Sequence, residues 1–179
     1  MGKVYFINGQ AESGKDTFLY RVSEKIEKKG IEIYNYSTVD DIKKFLSYLG
    51  IDISKKDTRL RNLMSDMKDL LTAYDDIPNK MAASFINFHL RDKNNSSDIV
   101  FVHCRESENI KNIEKMISDI VKPEDIKSIL LKRSGHNVSE CEKDSPESVE
   151  KHKYDIIFTH DCMEDLESNV NSFIQIENL

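Results

Sequence analysis

Gly9-Gln10-Ala11-Glu12-Ser13-Gly14-Lys15-Asp16-Thr17 lies between an apolar run, Val4-Tyr5-Phe6-Ile7, and a segment of helical periodicity. Glycines at both ends let the backbone turn tightly enough for its N–H groups to converge on an anion, and the N-terminus of the following helix adds partial positive charge. This glycine and lysine spacing, between a strand and a helix, is that of a phosphate-binding P-loop. Backbone amides from about Ala11 to Thr17, with Glu12, Ser13 and Gly14 between them, would hold the oxygens of ATP or another nucleoside triphosphate. Lys15 would neutralise the β- and γ-phosphates, while Gly9 and Gly14 serve by lacking a Cβ. Asp16 departs from the usual pattern, standing where Ser or Thr gives a hydroxyl to magnesium, and Thr17 follows one residue later. Mg2+ would therefore depend on Asp16 or Thr17, with water between.

Outward from this loop, strand and helix patterns alternate. A helix from Lys15 to about Lys29 buries Phe18, Val22 and Ile26 and stops at Gly30. A short strand over residues 31–36 leads to a helical segment from about Asp40 to Leu49. Leu60, Leu63, Met64, Met67, Leu70, Leu71 and Tyr74 recur at helical steps, and Pro78 opens another helix to about Leu90. Asp98-Ile99-Val100-Phe101-Val102-His103 is continuous and β-branched, as expected of a central strand buried on both faces. Ile110 to Val121 gives a helix, Ile126 to Leu131 a strand, Tyr154 to Phe158 a strand and Met163 to about Ile174 the last helix. Strands separated by helices imply right-handed crossovers and a three-layer α/β domain with a parallel five-stranded sheet. Residues 40–92 form a helical insert, and the polar segment 133–153, with Gly135 and Pro146, is a lid or a long surface loop.

At 179 residues, 39% hydrophobic and 32% charged, the chain fits one globular domain over residues 1–179. No apolar run reaches the length of a membrane span, and no signal peptide precedes the first strand, so a cytoplasmic protein without a membrane partner is expected. A net charge of −6 argues against nucleic acid as partner while permitting a local basic pocket. Cys104, Cys141 and Cys162 form no C-x-x-C pair and fit reduced thiols, and the cysteine and histidine spacings match no common zinc pattern. Met64, Met67 and Met81 are expected in the core.

Ser13-Gly14-Lys15-Asp16-Thr17 resembles the S-G-K-D-T of phage-type deoxynucleoside monophosphate kinases, in the nucleoside and nucleotide kinase branch of P-loop proteins. The detailed match covers about twenty residues of the P-loop region, and the order of elements extends it. The resemblance implies a P-loop NTPase fold and ATP-dependent phosphoryl transfer to a small phosphorylated acceptor. It places the acceptor in the region holding Tyr36, Ser37, Thr38, Asp40, Arg59 and Arg61, and brings an arginine, here Arg133, over the phosphates from the lid. A guanidinium fixes a phosphate by paired hydrogen bonds and a tyrosine ring stacks on a base, although Arg59 and Arg61 also suit solvated charges at a helix start. Residues 154–166 resemble the strand and turn near the adenine in dephospho-coenzyme A kinase-like proteins, with His160 and Asp161 in place of an N-D-G sequence.

The strand ending His103-Cys104-Arg105-Glu106 lacks the acidic Walker B residue of motor-type ATPases, which speaks against hydrolysis coupled to motion. Arg105, at the carboxyl edge of the sheet, is a candidate to touch a phosphate. A monophosphate acceptor brings its own ionised oxygen as nucleophile, whereas a hydroxyl acceptor needs a carboxylate such as Asp40 or Glu106 as base. Two alternatives stand beside transfer to a nucleoside monophosphate: a kinase of another small molecule, such as a nucleoside or a dephospho-coenzyme A-like compound, and a nucleotide-binding protein without transferase activity.

Overall fold

The computed structural model describes residues 2–10, 12–55, 57–91, 97–134 and 152–179. Strands β1 (Lys3–Asn8), β2 (Ile33–Ser37), β3 (Ile99–His103), β4 (Ile126–Arg133) and β5 (Ile156–His160) form one sheet in the order β2-β3-β1-β4-β5. Every pairing is parallel, with Phe6 beside Val102 on one side of β1 and beside Ser128 on the other. The centre of the sheet is thus β1, and β3, which its apolar run marks as central, is the interior strand next to it. The α-helices among the described residues are α1 (Lys15–Ile26), α2 (Asp40–Tyr48), α3 (Thr58–Asp75), α4 (Ile77–Leu90), α5 (Ser107–Met116) and α6 (Met163–Glu177).

Alternation along β1 divides the core into two layers. Tyr5 and Ile7 face a cluster with Phe18 and Val22 of α1 and Phe173 of α6, where Tyr5 stacks on Phe101. Val4 and Phe6 face the opposite cluster, with Ala82 and Ile86 of α4 and Ile110 and Ile113 of α5. The helices that follow β1 and β3 therefore leave the sheet on opposite faces. Their divergence opens a crevice beyond the carboxyl ends of these neighbouring strands, where open α/β sheets bind ligands.

Within residues 40–92, α4 lies on the sheet as the crossover helix between β2 and β3, whereas α2 and α3 form a separate small cluster through Ile42, Leu46 and Leu60, with Met64, Met67 and Leu71 against it. Asp57 caps α3 by accepting from the Leu60 N–H at 2.8 Å. The inward stripe of α3 is narrower than its apolar pattern suggests. Leu70 and Tyr74 are 70% and 81% exposed, because only the row 60-64-67-71 meets α2. Met81 is likewise exposed rather than core. Strand β5 starts two residues later than Tyr154, after Asp155 has accepted hydrogen bonds from the Ser128 N–H and hydroxyl, both at 2.7 Å. Among the described residues, no helix is long and apolar enough to cross a membrane.

Candidate active site

The glycines of the loop have distinct tasks. Gly9 has φ 153, and a Cβ there would lie 2.4 Å from the Leu131 carbonyl oxygen, so any side chain would collide with the backbone of β4. Gly14 has φ 79 and forms the N-cap of α1, which turns the chain into the helix without a side-chain cap. Glu12 also has positive φ, at 60, and Ser13 is buried beneath the turn, its N–H donating to the Gln10 carbonyl. Lys15 projects back across the loop, its Nζ donating to the carbonyls of Gly9 at 2.8 Å and Gln10 at 2.7 Å. At the end of β1, buried Asn8 accepts from the Gly9 N–H and donates to the Arg105 carbonyl and the Tyr154 hydroxyl, tying the loop to two other segments.

The crevice beside this loop has a volume of about 380 Å³. Lys15 and Asn8 form one wall, and His103, Cys104, Arg105 and Glu106 form its floor. Ser37 and Lys43 lie at the near end of the opposite wall, where α3 presents Arg61, Ser65 and Lys68. Five cationic side chains, Lys15, Lys43, Arg61, Lys68 and Arg105, thus line one cavity against the carboxylates of Asp66 and Glu106, in a chain of net charge −6.

Burial pushes the His103 imidazole down to about 4, with the Asp16 charge opposing and the Lys15 charge adding to the effect, so the floor holds a neutral ring at pH 7. Burial alone would raise the Glu106 carboxyl. The charge and hydrogen bond of Lys68, joined by Asn109, reverse this and hold it below the ordinary glutamate range. Burial raises the Cys104 thiol to about 12, which leaves it inert as a nucleophile at neutral pH.

The structure gathers Lys15, Ser37, Arg61 and Arg105 around this crevice. Asp16 and Thr17 occupy the first turn of α1, and the influence of Asp16 on His103 sets its carboxylate near the floor. Asp40 sits beside the crevice, its carboxylate engaged by the Ser37 N–H at 2.8 Å and by Lys43 at 3.0 Å. Tyr36 lies outside this crevice: its ring packs in the α4 layer, stacked on Phe85, its hydroxyl donates to Asp41 at 2.6 Å, and it lines a neighbouring cavity with Asp40 and Lys43. Arg59 is exposed on α3 outside the crevice lining. Arg133 lies at the exposed end of β4, paired in register with His160, on the far side of the P-loop strand. Ala11 and most of the 133–153 segment lie outside the described residues.

His160 is buried against the loop, its Nε2 3.3 Å from where a Gly14 Cβ would stand. Lys43 and Lys68 are the cationic crevice residues not anticipated from sequence. Lys68 carried a readable signal, a lysine next to Met67 on the inward face of an amphipathic helix. Among the described residues, no group of three or more His, Cys, Asp or Glu side chains could hold a metal ion.

No protein-family model matches the chain, and no curated protein sequence matches it either. Solved structures do. The APS kinase CysC of Mycobacterium tuberculosis in complex with AMPPNP and APS superposes with a TM-score of 0.52 at 15% identity, covering 99% of this chain and 98% of that one. Its Cys556Ala mutant gives 0.50 at 16% identity over the same shares of 99% and 98%. The protein APE1195 gives 0.52 at 14% identity, covering 98% of this chain and 94% of that one. With its five-stranded parallel sheet flanked by helices, the chain has the P-loop NTPase fold.

Proposed function

We propose that this protein transfers the γ-phosphoryl group of ATP to a nucleoside or deoxynucleoside monophosphate. The observation that carries the proposal is the chemistry of the crevice between Lys15 and α3, which is rich in cations and short of a general base. A general base works best with a pKa near neutrality, whereas Glu106 is held low by Lys68, and Asp40 is engaged by Ser37 and Lys43. A hydroxyl acceptor would need such a base; a monophosphate is mostly ionised at pH 7 and needs none. The fold likeness to an APS kinase bound to AMPPNP and APS supports a nucleotide donor with a small acceptor.

On this reading, Lys15 exchanges the carbonyls of Gly9 and Gln10 for the β- and γ-phosphates, and the loop amides hold the remaining oxygens. Arg105 neutralises charge from the crevice floor, and Arg133 approaches from the end of β4. Catalysis then consists of positioning and electrostatic stabilisation, with His103 neutral beneath the phosphates. Asp16 and Thr17 offer a carboxylate and a hydroxyl, hard oxygen donors that fit a magnesium ion completed by phosphate oxygens and water. Bound there, the ion would neutralise charge on the β- and γ-oxygens.

The decisive test is ADP release with ATP, magnesium and each common ribo- and deoxyribonucleoside monophosphate. At least one acceptor should raise the rate well above the acceptor-free background. Background rates with all of them overturn the proposal.

A further inference from the structure

Lys68 stands on the inward face of α3 with its side chain 9% exposed, and its Nζ lies 2.5 Å from Oε2 of Glu106, whose side chain is 42% exposed on the crevice floor. Such a placement is poor economy for stability alone, since a buried ion pair seldom outperforms apolar residues of the same volume. The polar surroundings are built for it. The Asn109 amide donates to the same Oε2 at 3.2 Å, and Asn109 Oδ1 accepts from Asn79, which is fully buried and donates in turn to Asp76 at 2.6 Å. This chain of hydrogen bonds runs from the start of α5 to the start of α4 and fixes Glu106 from behind.

Both side-chain contacts fall on Oε2, and among the described residues no other side chain donates to the carboxylate. An ionised carboxylate accepts hydrogen bonds and donates none. It also repels a phosphate, so the anionic end of an acceptor belongs nearer Lys15 and Arg105, and its body nearer Glu106 and α3. On α3, Arg61, Ser65 and Lys68 recur at four- and three-residue steps, which turns one polar stripe of the helix into the crevice.

We propose that Glu106 is the residue that selects the acceptor, by accepting a hydrogen bond through Oε1 from an N–H or O–H on the acceptor's body, with Lys68 as the positioning residue that keeps the carboxylate ionised and aimed. The proposal rests on the kinase function inferred above and narrows its substrate class to anionic acceptors that carry a donor group away from the phosphate. A nucleobase amine and a sugar hydroxyl both supply that chemistry.

The test compares wild type, Glu106→Gln and Lys68→Met in steady-state kinetics against cytidine, uridine, deoxycytidine and deoxyuridine monophosphates, with adenosine and guanosine monophosphates alongside. Wild-type turnover with at least one acceptor establishes the activity independently; its absence counts against the kinase function and not against Glu106 as such. With activity present, Glu106→Gln should raise KM about 10- to 100-fold for acceptors that carry the recognised donor, leaving kcat and KM for ATP within about 3-fold. A penalty that follows cytidine over uridine identifies a base amine, and one that follows ribose over deoxyribose identifies a sugar hydroxyl. Lys68→Met should shift the same acceptors in the same order. Unchanged acceptor KM, or an equal change for every acceptor together with a lower Tm, would make the pair a structural latch and overturn the assignment.

Discussion

Two lysine-held carboxylates lie at opposite ends of the sheet and differ in how completely they are enclosed. At the amino end, Glu177 of α6 is 2% exposed and saturated: Lys127 donates to Oε1 at 2.7 Å, the Tyr5 hydroxyl to Oε2 at 2.6 Å, and Lys3 to Oε2 at 3.3 Å. At the carboxyl end, Glu106 has both of its side-chain contacts on one oxygen and faces a cavity. Glu177 joins the last helix to the first and fourth strands, and its geometry leaves no room for a ligand. The same residue types thus give a staple where side chains engage both oxygens and a site where they engage one. Variants at the carboxyl end should change kinetic constants and spare stability; those at the amino end should do the reverse.

The largest effect is expected at Lys15. Lys15→Ala removes the cation aimed at the β- and γ-phosphates, and kcat should fall by at least about 10²- to 10³-fold. Its amine donates to loop carbonyls and to Ser13, at the surface end of the sheet, so Tm should stay within about 3 °C. Near-wild-type turnover with a preserved melting curve would remove the loop from the mechanism.

Glu177→Gln probes the other end. Losing the charge weakens three hydrogen bonds while Lys3 and Lys127, 27% and 35% exposed, can be re-solvated, so the cost should be about 2 kcal/mol and Tm should drop by roughly 4–8 °C. Kinetic constants should hold. Burial alone would raise the Glu177 carboxyl, but hydrogen bonds from Lys127 and Tyr5 and the charges of Lys127 and Lys3 hold it below the ordinary value. A lowered folded pKa stabilises above the unfolded value, and that contribution is lost as pH falls through the folded one. The Tm gap between wild type and variant should therefore be constant near neutrality and close as pH drops below 4.5, the ordinary glutamate value. A gap that widens on acidification would contradict the assignment.

The two walls of the crevice were unequally legible from sequence. The P-loop wall is made of backbone, and backbone that bends at φ 79 or runs into β4 demands glycine, which leaves a mark in composition and spacing. The opposite wall is made of side chains on α3, and which of them face inward depends on the helix it meets. Tyr36 shows the same limit. Alternation in β2 puts Tyr34 and Tyr36 on one face, but only the crossover helix α4, with Phe85, decides that this face is core. The strand order was beyond sequence too, since β3 and β1 are both continuous apolar runs and only the pairing places β1 at the centre.

The smallest expected effect separates two arginines that sequence could not. Arg59 and Arg61 are two residues apart on a helix, about 200° around its axis, so both cannot face one cavity. Arg61 lines the crevice, whereas Arg59 points outside it. Arg61→Ala should raise the acceptor KM about 5- to 10-fold, the cost of one partly solvated charge-assisted contact, with KM for ATP and kcat nearly unchanged. Arg59→Ala should leave every constant within about 2-fold, and neither change should move Tm by more than about 2 °C, since both side chains are exposed. Equal effects from the pair would mean that α3 acts through its net charge, with long-range steering in place of contact. That alternative has its own signature: a penalty that disappears as ionic strength rises, where a contact inside the crevice persists.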